Sequence, residues 1–272
     1  MSVRNETYKL SNGVKIPKLA IGTWQVPEGE VVYNVVSVAL QNGYRHVDTA
    51  VAYGNENSVG KAIRESKIKR EEIFVTTKVP AEVKSYEEAV ETIQTSLKTL
   101  NVEYIDLMLI HAPKPWAEMH AGSTKNYDEA NVLVWKALEE AYQSGKIKAI
   151  GVSNFSVPDL ENILAHCSIA PMTNQIRYFI GNTQEEITQF CQSRGILVEA
   201  YSPLATGEIF NNVKIADIAK KYNKSISQIC IRYILQKGVL PLPKSTHEQY
   251  IIQNAEVDFE IDSADMQYLD QL

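Results

Sequence analysis

The chain has few cysteines, no long apolar run and no concentration of basic charge, and each lack excludes a class of protein. Its three cysteines, Cys167, Cys191 and Cys230, show no CxxC or metal-ligand spacing, so we expect reduced, buried thiols and no metal site. No apolar run approaches the roughly 18 residues of a membrane span. The net charge is −6, and without a basic stripe we expect neither a nucleic-acid nor a membrane partner.

Targeting signals and familiar nucleotide motifs are also lacking. The first residues, MSVRNE, contain no apolar segment, so we expect no signal peptide and a cytoplasmic location. No GxGxxG sequence follows an apolar segment, which argues against a Rossmann site. Tyr142 and Lys146 have the Tyr-x-x-x-Lys spacing of short-chain dehydrogenases. That pattern is discounted because Gly145 breaks the helix between them and no glycine-rich loop lies near the N-terminus.

What the sequence does contain is an alternation of apolar strands and amphipathic helices. A hairpin signal, Asn12-Gly13, comes first, between β-prone residues 7–10 and 14–17. The predicted strands then cover residues 19–22, 44–48, 72–78, 104–111, 147–152, 171–175, 196–201 and 239–243. The predicted helices cover residues 31–41, 57–66, 85–100, 128–144, 158–166, 184–194, 213–222, 225–236, 246–255 and 262–271.

Eight strand–helix units in a chain of 272 residues match the count and length of a (β/α)8 TIM barrel. Apolar strands that alternate with helices favour parallel pairing. We therefore predict one barrel domain over residues 1–272, with an N-terminal β-hairpin cap and C-terminal closing helices. A doubly wound sheet is the structural alternative. Because no exposed apolar heptad or edge strand calls for a partner, we expect a monomer.

Polar side chains follow the predicted strands where an active site of such a barrel would lie, at the carboxyl ends. In chain order these ends are Gly22-Thr23-Trp24, Asp48, Lys78, His111, Ser153-Asn154, Asn174-Gln175, Tyr201-Ser202-Pro203 and Lys244-Ser245. Each alone has a structural explanation, such as a helix cap or a solvated lysine. Their convergence on one rim favours a functional site.

The residue types at this rim suggest a reaction. Tyr53 follows Asp48 by five residues, and a phenol with an ordinary pKa of about 10 needs a nearby cation to act as an acid. Lys78, on the neighbouring strand, can supply that charge and pair with Asp48, and we expect it to lower the phenol's pKa. His111 can donate a hydrogen bond to the same substrate oxygen. An acid and an oxyanion donor without a nucleophile suit carbonyl reduction, with the hydride brought by a cofactor.

The remaining strand ends offer groups for such a cofactor. Ser153, Asn154 and Gln175 can bind an amide, and Tyr201 offers a flat face for a ring. Lys244, Ser245 and Thr246 open a predicted helix, where amides and a lysine attract phosphate. We also assign to the cofactor site the strand-end residues Gly22, Thr23, Trp24, Ser202, Pro203 and Leu204.

These residues closely resemble the aldo-keto reductase family, and the match covers essentially the whole chain. It rests on GYRHVDTA (43–50) with YGNE (53–56), TTK (76–78), YIDL (104–107) with IH (110–111), GVSNF (151–155), NQ (174–175), YSPL (201–204) and PKS (243–245). The small size is similar to the bacterial branch of 2,5-diketo-D-gluconate reductases. The resemblance implies NAD(P)H-dependent reduction of aldehydes and ketones.

The resemblance also implies roles for single residues. Asp48, Tyr53, Lys78 and His111 would form a catalytic tetrad with Tyr53 as general acid. Ser153, Asn154 and Gln175 would hold the nicotinamide carboxamide, and Tyr201 would stack on the ring. Lys244, Ser245 and Thr246 would bind the 2′-phosphate of NADPH, and Gln253 and Asn254 would contact adenine. Asp48 is also predicted to contact the cofactor.

Two positions depart from the family pattern. Tyr250 occupies the place of an arginine that binds the 2′-phosphate, so we predict weaker NADPH discrimination and use of NADH. After Gln175 the chain reads Ile-Arg-Tyr-Phe instead of Ile-Glu-Tyr-His, a change to which we assign no function. Trp24 and Trp116, with Tyr53 and His111, are predicted to wall the substrate pocket.

Two other functions remain open from the sequence. A Schiff-base aldolase could use Lys78 on the same barrel, but it would need neither Tyr53 nor Tyr201. A redox-sensing barrel could hold the cofactor with little turnover, similar to barrel subunits attached to some ion channels. The short C-terminus favours an open pocket that accepts many aldehydes and small ketones.

Overall fold

The chain begins with the predicted hairpin. In a computed structural model, which describes residues 2–272, β1 (Thr7–Lys9) pairs antiparallel with β2 (Lys15–Pro17). Gly13 closes the turn at φ +90°, a conformation that glycine adopts without a steric cost. The Tyr8 hydroxyl donates to the carbonyl of Val239, just before the last strand. The hairpin therefore covers the amino-terminal end of the main sheet.

The main sheet consists of eight parallel strands in chain order. They are β3 (Ile21–Gly22), β4 (His46–Asp48), β5 (Phe74–Val79), β6 (Leu107–Ile110), β7 (Ile150–Ser153), β8 (Thr173–Arg177), β9 (Leu197–Tyr201) and β10 (Leu240–Leu242). The first and last strands also meet, because the Gly22 N–H donates to the Pro243 carbonyl at 2.9 Å. The sheet thus closes into a barrel, which confirms the predicted fold class and excludes the doubly wound sheet.

Helices surround the barrel and follow the strands. They are α1 (Glu30–Gln41), α2 (Glu56–Glu65), α3 (Tyr86–Leu100), α4 (Trp116–His120), α5 (Asp128–Gln143), α6 (Val157–His166), α7 (Glu185–Ser193), α8 (Val213–Tyr222), α9 (Ile226–Gln236), α10 (Glu248–Asn254) and α11 (Ser263–Asp270). No helix within residues 2–272 has the length and apolar character needed to cross a membrane.

Local sequence explains where these elements begin and why the strands lie inside. Ser156 and Asp159 form a reciprocal capping box at the start of α6, and Ser225 and Gln228 form one at α9, which satisfies otherwise unpaired N–H groups. The β6 residues Leu107–Ile110 are apolar and buried on both faces, as expected for a parallel strand between the barrel interior and the helix layer.

Three details differ from the sequence predictions. The helix α4 was not predicted, and it lies in the long connection between β6 and α5. The spacing of Ser85 and Glu88 predicts a capping box at the start of α3. Ser85 does cap this helix, but the Glu88 side chain accepts from the Ser85 hydroxyl and not from its backbone N–H. The helix predicted to open at Thr246 begins at Glu248, so Lys244, Ser245 and Thr246 lie in the preceding turn.

Candidate active site

The carboxyl ends of β4, β5 and β6 bring together Asp48, Tyr53, Lys78 and His111. Asp48 is the last residue of β4, and Tyr53 ends a short 3-10 helix, Val51–Tyr53, that follows it. Lys78 lies near the end of β5, and His111 directly follows β6. Because adjacent parallel strands end on the same rim, residues far apart in sequence share one site.

Lys78 is the centre of this group and is fully enclosed. Its Nζ lies 2.8 and 2.9 Å from the two carboxylate oxygens of Asp48 and 2.9 Å from the Thr49 carbonyl. It also reaches the Tyr53 hydroxyl at 3.5 Å. Burial acts to lower the pKa of Lys78, but Asp48 and then Tyr53 outweigh it, so the pKa is raised and the ammonium keeps its charge.

The pKa of Tyr53 differs from the prediction. Burial raises it, and although the Lys78 charge lowers it as expected, the net shift is upward. The prediction of a lowered phenol pKa was wrong because the sequence did not show how much burial disfavours a phenolate. The Tyr53 phenol therefore stays protonated at neutral pH, with a cation beside the oxygen that would become negative.

His111 is a neutral ring beside the phenol. Burial, and then the charge of Lys78, lower its pKa to about 3. Its Nδ1 is enclosed without a hydrogen-bond partner among residues 2–272, so Nε2 is the nitrogen available to a substrate. The rings of His111 and Tyr53 meet edge-on with centroids 5.6 Å apart. The two groups can thus address one oxygen.

Aromatic residues continue from the tetrad toward solvent. Trp116 packs edge-on against His111 at 5.3 Å between ring centroids, and His120 stacks on Trp116 at 6.0 Å. Trp24 is 47% exposed. Lys84 and Asn131 brace the loop that carries Trp116, since the Lys84 ammonium donates to the Ala112 carbonyl and to the Asn131 side chain. Of the side chains predicted to wall the pocket, Trp116 contacts His111 and Trp24 is open to solvent.

The predicted carboxamide site is a hydrogen-bonded network at the ends of β7, β8 and β9. The Ser153 hydroxyl donates to the Gln175 carbonyl, and the Asn154 amide donates to the His111 carbonyl and to Ser153 Oγ. The Tyr201 hydroxyl donates to Asn154 Oδ1 at 2.7 Å. Gln175 Oε1 accepts from none of residues 2–272 and is not an enclosed unpaired atom. It is therefore a free acceptor that a ligand can reach.

The remaining cofactor candidates differ in accessibility. Lys244, Thr246 and Tyr250 are exposed, and the ring of Tyr250 lies 5.6 Å from that of His247. Lys244 forms no salt bridge within residues 2–272. The other candidate residues are enclosed or partly enclosed: Gly22, Thr23, Ser202, Pro203, Leu204, Ser245, Gln253 and Asn254.

Comparisons with known proteins identify the family of this chain. The model of the aldo/keto reductase family matches residues 18–272. The chain belongs to this family. It is 42% identical over 268 residues to a glyoxal reductase of Bacillus subtilis, an alignment that covers 98% of this chain and 92% of that protein.

Solved structures of this family superpose closely on the chain. The crystal structure of an aldo/keto reductase from Brucella melitensis is 36% identical, with a TM-score of 0.90, and 98% of each chain is covered. That of a Bombyx mori aldo-keto reductase in complex with NADP is 36% identical, with a TM-score of 0.88, and 98% of this chain and 92% of that chain are covered. The predicted family and fold are thus confirmed.

Two residues of this aldo/keto reductase site were missed from the sequence. Asn55 is buried, accepts from the Thr49 hydroxyl and donates to the carbonyls of Thr23 and Val26, which ties the first two strand ends together. Glu199 lies inside the barrel and accepts from Gln175. The period of two along a strand could have found Glu199, because it precedes Tyr201 by two residues and faces the same side.

Proposed function

We propose that this chain reduces aldehydes and ketones with a reduced nicotinamide cofactor, with Tyr53 as the proton donor. The observation that carries the proposal is the enclosed ammonium of Lys78, held by Asp48 and within 3.5 Å of the Tyr53 hydroxyl. A charge so placed favours negative charge developing on the phenol oxygen. The related Bombyx mori structure is a complex with NADP.

The residues present fit such a cofactor. Gln175 Oε1 is a free acceptor at the cleft, and the partly exposed ring of Tyr201 lies on the adjoining strand. Ser153 and Asn154 already have protein partners, so an incoming carboxamide would exchange with the Tyr201–Asn154 bond. Lys244, which pairs with no carboxylate among the residues described, would hold phosphate. When bound, the reduced nicotinamide supplies the hydride.

The chain itself contributes the proton and the alignment of the carbonyl. The Nε2 group of His111 donates to the carbonyl oxygen and orients it, because the neutral imidazole carries one N–H. The Tyr53 hydroxyl gives its proton to the same oxygen as negative charge builds there. Lys78 then stabilises the phenolate, and Asp48 keeps the ammonium in place.

The decisive experiment replaces the acid and leaves the ring. Tyr53→Phe should lower kcat by at least about a thousandfold, the order expected of general acid catalysis, while NADPH still binds. Turnover would be followed by NADPH and NADH absorbance with a panel of aldehydes, α-keto esters and ketoses. Tyr33→Phe is the matched control, since it removes a hydroxyl bonded to Glu65 on the surface. An active Tyr53→Phe enzyme would show that the acid is assigned wrongly.

We infer further properties of the same protein. The exposed Trp24 supports an open site that accepts many small carbonyl compounds, and turnover confined to one sugar ketone would contradict this.

The three cysteines are free, which supports a reducing compartment such as the cytoplasm. We also propose one barrel domain that acts as a monomer, and light scattering that gives twice the chain mass of 30.5 kDa would contradict the monomer.

A further inference from the structure

The side-chain amide of Gln175 is held by two carboxylates. Its Nε2 lies 2.9 Å from Asp48 Oδ2 and 3.0 Å from Glu199 Oε2. An amide nitrogen has two protons, so both are used. The reverse orientation would bring Oε1 against two carboxylate oxygens, acceptor against acceptor. The orientation of this amide is therefore set by Asp48 and Glu199 together.

Glu199 is an unusual residue for its place in the barrel. It is 0% exposed, and it lies on β9 directly opposite Gln175 of β8. A buried carboxyl costs free energy unless it is paired or hydrogen-bonded. Burial, and then the charge of Asp48, raise the pKa of Glu199 to about 7, and the bond from Gln175 opposes this rise. The proposed proton transfer from Tyr53 does not use this group.

Glu199 has one partner where Asp48 has several. Asp48 accepts from Lys78 through both oxygens and shares one of them with Gln175. Glu199 accepts from Gln175, and its other oxygen, Oε1, is enclosed without a bond among the residues described, as is Thr173 Oγ1. The contact with Gln175 is thus the hydrogen bond by which Glu199 reaches the predicted cofactor site, while its charge also acts on Asp48 and Lys78.

We propose that Glu199 is a positioning residue, which fixes the Gln175 amide so that its free oxygen faces the cleft and receives the carboxamide of the nicotinamide. This inference rests on the proposed function. It adds that binding of the nicotinamide depends on the carboxyl of Glu199, which lies on β9, the strand that also carries Tyr201. Loss of that carboxyl leaves the amide held by Asp48 alone, so the orientation of its oxygen is less well defined.

The test compares a cofactor with and without its nicotinamide. NADP+ and 2′-phospho-ADP-ribose, which lacks the ring, would be titrated against the parent and Glu199→Leu by calorimetry. Glu199→Leu should raise the Kd of NADP+ about tenfold, the effect of one hydrogen bond to a charged group. The Kd of 2′-phospho-ADP-ribose should change less than twofold. An equal change for both ligands, or none for either, would overturn the inference.

Two further variants separate positioning from damage to the fold. Glu199→Gln keeps the shape and an acceptor for Gln175, so it should restore most of the NADP+ affinity that Glu199→Leu loses. Glu139→Gln is the matched control, because Glu139 is also a buried carboxyl but lies on α5 and accepts from the backbone of Ser168 and Ile169. Its NADP+ affinity should equal that of the parent.

A double variant tests whether Glu199 acts through Gln175. In the Gln175→Met background, Glu199→Leu should add less than a twofold change in the Kd of NADP+, because the amide that Glu199 positions is gone. Where Glu199→Leu does not fold, Glu199→Met takes its place in both tests. Additive effects would show that Glu199 acts by another route. If the parent binds no NADP+, the proposed function fails as well. If the parent binds it and Glu199→Leu matches the parent, this inference alone fails.

Discussion

Lys78 shows how one buried charge can serve both stability and chemistry. Its ammonium is enclosed by the barrel and balanced by Asp48 at 2.8 Å. A buried pair is costly to break from one side, because the remaining charge has lost its partner in a medium of low polarity. The same enclosure keeps water from screening the positive charge of the ammonium beside Tyr53. The two effects can be separated by removing one partner or both.

We predict that Lys78→Met lowers the free energy of unfolding by about 3 kcal/mol and abolishes turnover. Adding Asp48→Asn should recover at least about 1 kcal/mol of that loss, since the unpaired carboxylate is removed, while turnover stays absent. Urea unfolding followed by circular dichroism gives both values. A Lys78→Met protein as stable as the parent would mean that the pair is not enclosed as described.

Tyr250 is the residue at which cofactor choice should be decided. It is 52% exposed on α10, directly after the turn that carries Lys244, and it brings a ring without a charge where the family resemblance leads us to expect an arginine. We predict that the parent prefers NADPH over NADH by less than about a hundredfold in kcat/KM, or roughly 2.7 kcal/mol. Tyr250→Arg should raise that preference about tenfold through a charged contact with the 2′-phosphate.

Tyr250→Phe is the control for this change, because it keeps the ring and adds no charge. Its ratio of NADPH to NADH efficiency should equal that of the parent, measured by steady-state kinetics with one aldehyde. A parent preference well above a hundredfold would show that Lys244 and its neighbours suffice for the 2′-phosphate without the arginine.

At the scale of elements, the packing of α2 on α3 depends on one glycine. Gly60 lies in α2, and a Cβ built there would overlap the backbone carbonyl of Leu100, whose carbon would be 2.7 Å away. In an exposed helix, alanine in place of glycine stabilises by up to about 1 kcal/mol. Here the close approach reverses the sign, because backbone atoms cannot move aside as a flexible side chain can.

We predict that Gly60→Ala destabilises the protein by at least about 2 kcal/mol, as overpacking of a tight contact does. Gly145→Ala is the comparison, since Gly145 has φ +77° and no atom within 4 Å of the added carbon. Its cost should be about 1 kcal/mol from backbone conformation alone. Thermal or urea unfolding of the two variants checks the order, and a stabilised Gly60→Ala protein would contradict it.

How far the sequence could predict this molecule follows from what each pattern depends on. The eight strands and most helices were predictable because the period of apolar residues and the N-cap residues Ser85, Ser156 and Ser225 are local signals. The helix at Trp116–His120 was not, since five residues give no periodicity. The positions of strand ends then placed Asp48, Lys78 and His111 on one rim.

Long-range burial was the part that sequence could not supply. The sign of the Tyr53 pKa shift depends on how many atoms enclose the phenol, and these come from separate strands and loops. For the same reason, the partners of Asn154 and the contact of Glu199 with Gln175 emerge only when the barrel closes. Residue types indicate the chemistry, while closure of the barrel decides which atoms remain free.

For the molecule as a whole, buried histidines should make the fold sensitive to acid. His46 is the first residue of β4 and is fully enclosed, with Nε2 2.8 Å from the hydroxyl oxygen of Thr76 on β5. Burial lowers the pKa of His46 to about 3, and that of His111 is lowered to about the same value. An unfolded histidine has a pKa of about 6.5. Below that pH the unfolded chain therefore binds more protons than the folded one.

Stability from these histidines is thus present above about pH 6.5 and is lost as the pH falls toward 3, at up to about 1.4 kcal/mol per pH unit for each ring. We predict that His46→Gln lowers the slope of the free energy of unfolding against pH by about 1.4 kcal/mol per pH unit between pH 6 and 4, as measured by urea unfolding at each pH. His166→Gln, at an exposed position near the end of α6, should leave the slope unchanged. Because the slope counts protons, a His46→Gln protein that keeps the parent's slope would mean that His46 is already protonated in the folded barrel.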